Sequence, residues 1–262
     1  GDPRHLVVAQ LVEQLDVLEQ TDIDHAGHRT DSVAAGQDFS VPYRGRMPSD
    51  EHPDQPAVWV IVVAAGSGTR FGGPKQHAPL AGRRVVDWSI DAARSVADGV
   101  VLVVPAGDDG ADEPAVDAVV AGGATRSDSV RAGLAVLADD ADVVLMHDGA
   151  RPLASHALFR SVVDAVLAGA DAVVPAVSVG DTITDLHGVP VDRDALRAVQ
   201  TPQGFRGGAL RAVHATRPDA TDDASLVVAG GGRLRPVQGE RWNLKITEPD
   251  DLLVAEALME QR

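Results

Sequence analysis

Val58-Trp59-Val60-Ile61-Val62-Val63-Ala64-Ala65-Gly66-Ser67-Gly68-Thr69-Arg70-Phe71-Gly72-Gly73-Pro74-Lys75 is the stretch that decides the fold of this 262-residue chain. From Val58 to Ala65 the run is apolar without alternation, and it stops at a glycine-rich loop. A short continuous Val-rich run reads as a strand buried on both faces, the form strands take in parallel sheets covered by helices. In such sheets ligands bind outside the carboxyl ends of the strands. A glycine-rich loop at that end lets backbone N–H groups approach a phosphate closely. Two familiar phosphate loops do not fit. The dinucleotide fingerprint requires glycine where Phe71 stands, and the P-loop requires Ser or Thr after Lys75, where Gln76 stands.

Downstream, strand and helix patterns alternate. Helices are expected at 85–96, 111–121, 127–138 and 155–168. Strands are expected at 100–105, at 143–147 ending in Asp148-Gly149, and at 172–175. This succession predicts an α/β fold, a mostly parallel twisted sheet with helices on both faces. From 177 to 199 the pattern changes to short alternating pieces around Gly188-Val189-Pro190, which predicts a protruding antiparallel β-arm. Gln200-Thr201-Pro202-Gln203-Gly204-Phe205 reads as a compact polar turn. A helix begins at Thr221-Asp222-Asp223, where Thr221 or Asp222 serves as its cap, and another spans 248–260. Residues 57–262 form one domain in this reading. Residues 1–56 form an extension, with an amphipathic helix at 5–19 and an aperiodic polar stretch after it that is expected to be mobile. Met47 is a plausible start, and the residues before it are expected to be dispensable.

Composition narrows the function. The formal net charge is −16 and the pI about 4.8, which argues against general nucleic-acid or anionic-membrane binding. Cysteine is absent, so disulfides, thiolate catalysis and Cys-ligated metals are excluded. No apolar run is long enough to span a bilayer, and a cytoplasmic protein is the expectation. Of the 23 basic residues only Lys75 and Lys245 are lysines. Lys is a compact point charge on a flexible stem and Arg a broad planar fork, so a chain that uses arginine elsewhere has kept lysine at two selected places. Lys245 lies in Gly239-Glu240-Arg241-Trp242-Asn243-Leu244-Lys245-Ile246-Thr247. Asp148, in His147-Asp148-Gly149-Ala150-Arg151-Pro152, follows a buried strand, where a carboxylate can hold Mg²⁺ against phosphate oxygens.

The first loop has the form G-x-G-x-R-x…P-K, which resembles nucleotidyltransferases that activate sugars and polyols. With the other four segments, in this order, the chain over 58–258 resembles the 2-C-methyl-D-erythritol 4-phosphate cytidylyltransferases of the non-mevalonate isoprenoid pathway. The resemblance implies a dinucleotide-binding-like α/β fold and transfer of CMP from CTP to the polyol phosphate, with Mg²⁺. It also implies a homodimer linked through the arm. By that resemblance, Arg70, Lys75 and Lys245 are the cations that act on the phosphates. Ala64, Ala65, Gly66, Gly68, Gly123 and Ser129 take the nucleotide-binding positions. Asp148, Arg151, Arg193, Thr201 and Thr221 contact the methylerythritol phosphate, and Asp148 also stands near the metal. Arg193 and Thr201 lie on or beside the arm, and in a dimer with crossed arms they serve the partner's site. Ala124 departs from the pattern, since family members often carry an acidic residue there beside the cytosine. The chain ends at Arg262, so the cyclodiphosphate synthase domain fused to some family members is expected to be absent. Two alternatives stay open: a cytidylyltransferase for ribitol or glycerol phosphate, and a catalytically silent nucleotide-binding regulator.

Overall fold

The computed structural model describes residues 56–108, 116–138, 141–216, 220 and 222–261. The helix expected at 5–19, the remainder of the extension through residue 55, and Thr221 lie outside the described residues.

The chain opens on β1 (Ala57–Val63), followed by the glycine-rich loop and a 3-10 turn at Lys75–His77. A small hairpin of β2 (Pro79–Leu80) and β3 (Arg83–Arg84) leads into α1 (Val85–Arg94). Then come β4 (Gly99–Val104), β5 (Ala118–Ala121), α2 (Arg126–Leu134), β6 (Ala141–Asp148), α3 (His156–Leu167) and β7 (Ala172–Ser178). The arm consists of β8 (Ile183–Thr184) and β9 (Pro190–Val191). It returns through β10 (Arg197–Val199) to β11 (Gln203–Arg206), α4 (Gly207–Ala215), α5 (Asp223–Ala229), β12 (Leu234–Gln238) and α6 (Asp250–Met259).

β1 sits between β4 and β6 and runs parallel to both. β5 continues the parallel sheet beyond β4. β11 runs antiparallel between β6 and β7, β12 pairs parallel with β7, and β10 pairs antiparallel with the end of β7. β1 alternates its side chains between two cores, as a strand covered on both faces must. Val58, Val60 and Val62 pack with Ile90 of α1 and Phe159 and Val162 of α3. Trp59 and Ile61 pack with Val130 of α2, Leu210 of α4 and Val227 of α5. The connection from β1 leads to β4, and the connection from β6 leads through α3 to β7. The direction of winding therefore reverses between β1 and β6, which opens a crevice at their carboxyl ends. The register places Val63 opposite Asp148 at that point.

The expected fold class is observed, and two local expectations are corrected. The helix expected at 111–121 is not one where the structure describes it. Ala118–Ala121 is the strand β5, whose register with β4 pairs Val119 with Leu102 and Val120 with Val103. A short Val-rich segment beside a parallel strand gains ladder hydrogen bonds that override its weak helical pattern. Residues 111–115 of that expectation lie outside the described residues. The polar turn expected at 200–205 is also a strand over Gln203–Arg206, wedged between β6 and β7. Its glutamine is buried, and Nε2 of Gln203 donates to Asp222 Oδ1 at 2.6 Å.

The arm has the expected antiparallel form, with Ile183 opposite Val191. Asp185 closes its tip by accepting hydrogen bonds from the N–H groups of His187 and Val189 through one carboxylate oxygen, at 2.8 and 2.9 Å. Gly188 supplies the positive φ, 80°, that this turn needs.

Candidate active site

A cleft of about 280 Å³ lies at the carboxyl ends of β1 and β6. One wall is the end of β1 and its loop: Val63, Ala64, Ala65 and Gly66. Lys75 and Gln76 continue that wall from the 3-10 turn. The facing wall is the turn into α2, with Gly123, Ala124, Thr125, Arg126 and Ser129. Asp148, Ala150 and Lys245 complete the lining.

Local chemistry explains the loop. Gly68 has φ +65°, and its carbonyl accepts the N–H groups of Phe71, Gly72 and Gly73. A Cβ at Gly68 would lie 1.8 Å from the Gly73 carbonyl oxygen, so only glycine closes this loop. On the facing wall, a Cβ at Gly123 would lie 2.1 Å from Cβ of Asp128. The Gly123 N–H donates to Oγ of Ser129 at 3.2 Å, and that hydroxyl donates to the Thr125 carbonyl at 3.1 Å. Thr125 caps α2 through a reciprocal pair with Asp128. The turn is thus fixed internally before any ligand arrives.

The charged groups converge on Asp148. Nζ of Lys245 lies 2.7 Å from Asp148 Oδ2, and Nε of Arg151 lies 3.8 Å from the same oxygen. Burial by itself would raise the Asp148 carboxyl. The charge and hydrogen bond of Lys245, helped by Arg151, more than offset it and hold Asp148 below the usual carboxylate range. Lys75 donates to the Ile246 carbonyl at 2.6 Å, which ties it to the segment bearing Lys245. Burial lowers the Lys75 ammonium, and the nearby charge of Lys245 lowers it further, while Asp148 works in the opposite direction. Two cations are thereby held close to each other around one carboxylate.

Beneath the cleft a buried polar scaffold positions these groups. The Asp148 N–H donates to Oγ1 of Thr201 at 3.0 Å, and that hydroxyl pairs with Nδ1 of His147 at 3.2 Å. Asn243, fully buried, donates from Nδ2 to the Thr201 carbonyl at 2.9 Å. Arg151 donates to the Asn243 carbonyl at 2.7 Å, and Ile246 N–H donates to the Ala150 carbonyl at 2.8 Å. His147 is buried against the ring of Phe159, and burial pushes its pKa down to about 4.

The structure therefore brings together Ala64, Ala65, Gly66, Lys75, Gly123, Ser129, Asp148 and Lys245 of the expected site. Gly68 shapes the loop without lining the cleft. Arg70 is exposed on the loop, and its charge is felt at Lys75. Arg151 and Thr201 stand behind Asp148 as its supports. Arg193 is on the exposed arm, where it donates to the Gly180 carbonyl at 2.7 Å and lines no part of the cleft of its own chain. Sequence reading missed Gln76, Thr125 and Arg126. The signal for Arg126 was present, since it begins a helix directly after the Gly122-Gly123 turn.

A family model described as IspD, 2-C-methyl-D-erythritol 4-phosphate cytidylyltransferase, matches residues 58–261. Over 222 residues the chain is 44% identical to the 2-C-methyl-D-erythritol 4-phosphate cytidylyltransferase of Nocardia farcinica, a match covering 79% of this chain and 95% of that protein. The enzyme of the same name from Rubrobacter xylanophilus is 41% identical, with 77% and 94% covered. Among solved structures, that of the 2-C-methyl-D-erythritol 4-phosphate cytidylyltransferase of Thermus thermophilus is similar with a TM-score of 0.68 and 36% identity, covering 79% of this chain and 100% of that one. The 4-diphosphocytidyl-2C-methyl-D-erythritol synthase of Anaerococcus prevotii gives 0.68 and 30%, with 79% and 99% covered.

The buried imidazole yields a pH prediction. The pKa of His147 is about 4 in the fold against 6.5 for an ordinary histidine, so between these values the unfolded chain binds the extra proton. Stability from the neutral ring is complete above pH 6.5 and is lost as pH falls toward 4. His147→Gln should shrink the difference in unfolding free energy between pH 7 and pH 4.5 by about 2–3 kcal/mol, measured by urea titration. An unchanged difference would mean that the ring ionises freely in the folded state.

Proposed function

The chain belongs to the 2-C-methyl-D-erythritol 4-phosphate cytidylyltransferase family, and we propose that the cleft between β1 and β6 is where its CTP-dependent transfer takes place. The enzyme transfers CMP from CTP to 2-C-methyl-D-erythritol 4-phosphate, giving 4-diphosphocytidyl-2-C-methyl-D-erythritol and pyrophosphate. The observation that carries the placement is the gathering of Lys245, on Asp148, and Lys75, on the Ile246 carbonyl beside Lys245, at the switch point of the sheet.

In the proposed reaction an oxygen of the polyol phosphate attacks the α-phosphorus of CTP in line. The bond from that phosphorus to the bridging oxygen breaks, and pyrophosphate leaves with the electron pair. Every participant is anionic, so the protein's work is positioning and charge neutralisation. The mutual repulsion of Lys75 and Lys245 is relieved when a negative phosphate enters between them, so they are organised for charge before it arrives. Arg70 adds its charge from the loop. A phosphate dianion is already nucleophilic near neutral pH and requires no general base. The burial of the neutral His147 below Asp148 is consistent with that, since the ring serves the Thr201 hydroxyl.

The nucleotide occupies the space between Ala64–Gly66 and the Gly123–Ser129 turn, with Ala124 at its edge. Gly68 holds the loop in shape. The polyol phosphate lies against Asp148, with Arg151 and Thr201 acting on it from behind that carboxylate, and Arg193 and Thr221 complete its binding. Because Arg193 is on the exposed arm, it serves the partner subunit's cleft in a homodimer. Asp148 is the one carboxylate among the described residues lining the cleft, and no group of three His, Cys, Asp or Glu suited to a metal occurs among the described residues. Asp148 is the residue that would hold a Mg²⁺ carried by the triphosphate. The chemistry such an ion would supply is charge neutralisation at the phosphate oxygens. No helix among the described residues is long and apolar enough to cross a membrane. Residues 57–262 carry the whole reaction in this proposal, and residues 1–46 are dispensable for it.

Pyrophosphate release should require CTP, Mg²⁺ and 2-C-methyl-D-erythritol 4-phosphate together. Robust release with ribitol phosphate and none with methylerythritol phosphate would reassign the substrate. Lys75→Ala and Lys245→Ala should each lower kcat by about 10²–10³-fold with the fold intact. Lys75→Arg and Lys245→Arg should also lose much of the turnover, because the planar guanidinium fits poorly where a compact ammonium is held. Near-normal turnover in both arginine variants would reduce the lysines to bare charge. Replacing 181–196 by a short turn should give a folded, inactive monomer by light scattering, and a surviving dimer would place the interface elsewhere.

A further inference from the structure

Arg126 and Asp223 are not among the residues the sequence singles out for the reaction, yet they form an ion pair beside the cleft whose carboxylate is buried. Arg126 lines the cleft at the start of α2, and its NH1 donates to Asp223 Oδ2 at 2.6 Å. The Asp223 side chain is 1% exposed. Its other oxygen pairs with Nε2 of His214, itself buried, at 3.1 Å. A second fastening lies alongside. Oγ of Ser127 donates to the Ala220 carbonyl at 3.1 Å and accepts the Ala220 N–H at 3.0 Å. Consecutive residues of α2 thus grip two points, 220 and 223, of the segment that enters α5.

Buried ion pairs are costly unless geometry and hydrogen bonding compensate, and they are weak evidence for stability as such. This pair joins the turn that forms one wall of the cleft to a segment far away in sequence. We propose that Arg126 and Asp223 are positioning residues. Asp223, steadied by His214, holds the Arg126 side chain and with it the 122–129 wall of the cleft, so that the wall and the start of α5 behave as one unit. The charge of Arg126 is also felt at Asp148, so a displaced guanidinium alters the field in the cleft as well as the shape of the wall. The inference rests on the cleft being the nucleotide site.

The test uses the full chain as wild type, Asp223→Asn and Arg126→Gln. Amide hydrogen exchange and CTP affinity by calorimetry are measured on each. Asp223→Asn should speed exchange in 122–129 and in 223–229 together, by about tenfold or more, and weaken CTP binding about tenfold. Arg126→Gln leaves Asp223 its histidine partner and should fold even where Asp223→Asn does not. It should show the same paired loosening and the same loss of affinity. A double variant no worse than the poorer single variant would show that the two act through each other. Faster exchange in 223–229 alone, with CTP affinity unchanged, would make the pair a plain structural bridge and overturn the proposal. If the wild type itself bound no CTP, the assignment of the cleft would fail. The positioning claim would then be judged on exchange alone: loosening of both segments supports it, and loosening of α5 alone sinks it.

Discussion

One carboxylate holds the site together. Asp148 sits at the end of β6, beside the end of β1, with the Lys245 ammonium on one oxygen at 2.7 Å. Burial should push this carboxyl toward its neutral form, and the surrounding cations reverse that tendency. The ionised Asp148 then draws the 240–247 segment to the sheet. Once that segment is in place, the Ile246 carbonyl becomes the anchor for Lys75 at 2.6 Å. Residues from the first loop, the middle strand and the last connection are so brought within one cleft. An uncharged side chain at 148 would leave two cations near each other with nothing between them.

The glycine loop and the polar scaffold are the two sides of this arrangement. Gly68 closes the loop through three N–H groups donated to one carbonyl, which keeps Arg70 and Lys75 on a short tether. Below the cleft, Gln200 pairs with the backbone of Glu240, accepting its N–H at 3.0 Å and donating to its carbonyl at 2.7 Å. The Glu240 carboxylate in turn accepts from Ser155, whose hydroxyl caps α3. The helix that covers one face of the sheet is therefore tied to the segment that carries Lys245. The paired contacts of Gln200, Glu240 and Ser155 favour one geometry, because a shift would leave their polar groups without a partner.

The fold class was legible because β1, β4, β6 and β7 are continuous apolar runs, and β-branched residues buried on both faces leave little ambiguity. The arm was legible from its turn residues. What escaped had a physical cause in each case. β5 is only four residues long and lies beside residues with helical periodicity. β11 begins with Gln203, a polar residue whose burial depends on Asp222, a partner invisible in local sequence. β12 contains Pro236 and has largely exposed side chains, so it lacks the alternation that marks a strand. Within the site, the loop and both lysines were legible from motif and composition. The supporting roles of Thr201, Asn243 and Arg126 were not, because each is defined by a contact across more than forty residues of chain.

The overall charge sharpens the last point. A chain of net charge −16 repels nucleotides and polyol phosphates at long range. Some surface arginines and carboxylates are paired with each other, as Arg84 is with Asp87 and Arg94 with Asp117. Such pairs contribute little field beyond a few ångströms in salt. The cleft differs because Lys75, Lys245 and Arg151 all feel the one carboxylate of Asp148, which leaves a local positive excess inside an acidic body. That excess is useful only if the cations stay compact and at fixed separation. A guanidinium at 75 would have to spread its planar fork where a single ammonium now reaches the Ile246 carbonyl. The single contact of Lys75 with that carbonyl suits a compact ammonium, in a chain that otherwise uses arginine.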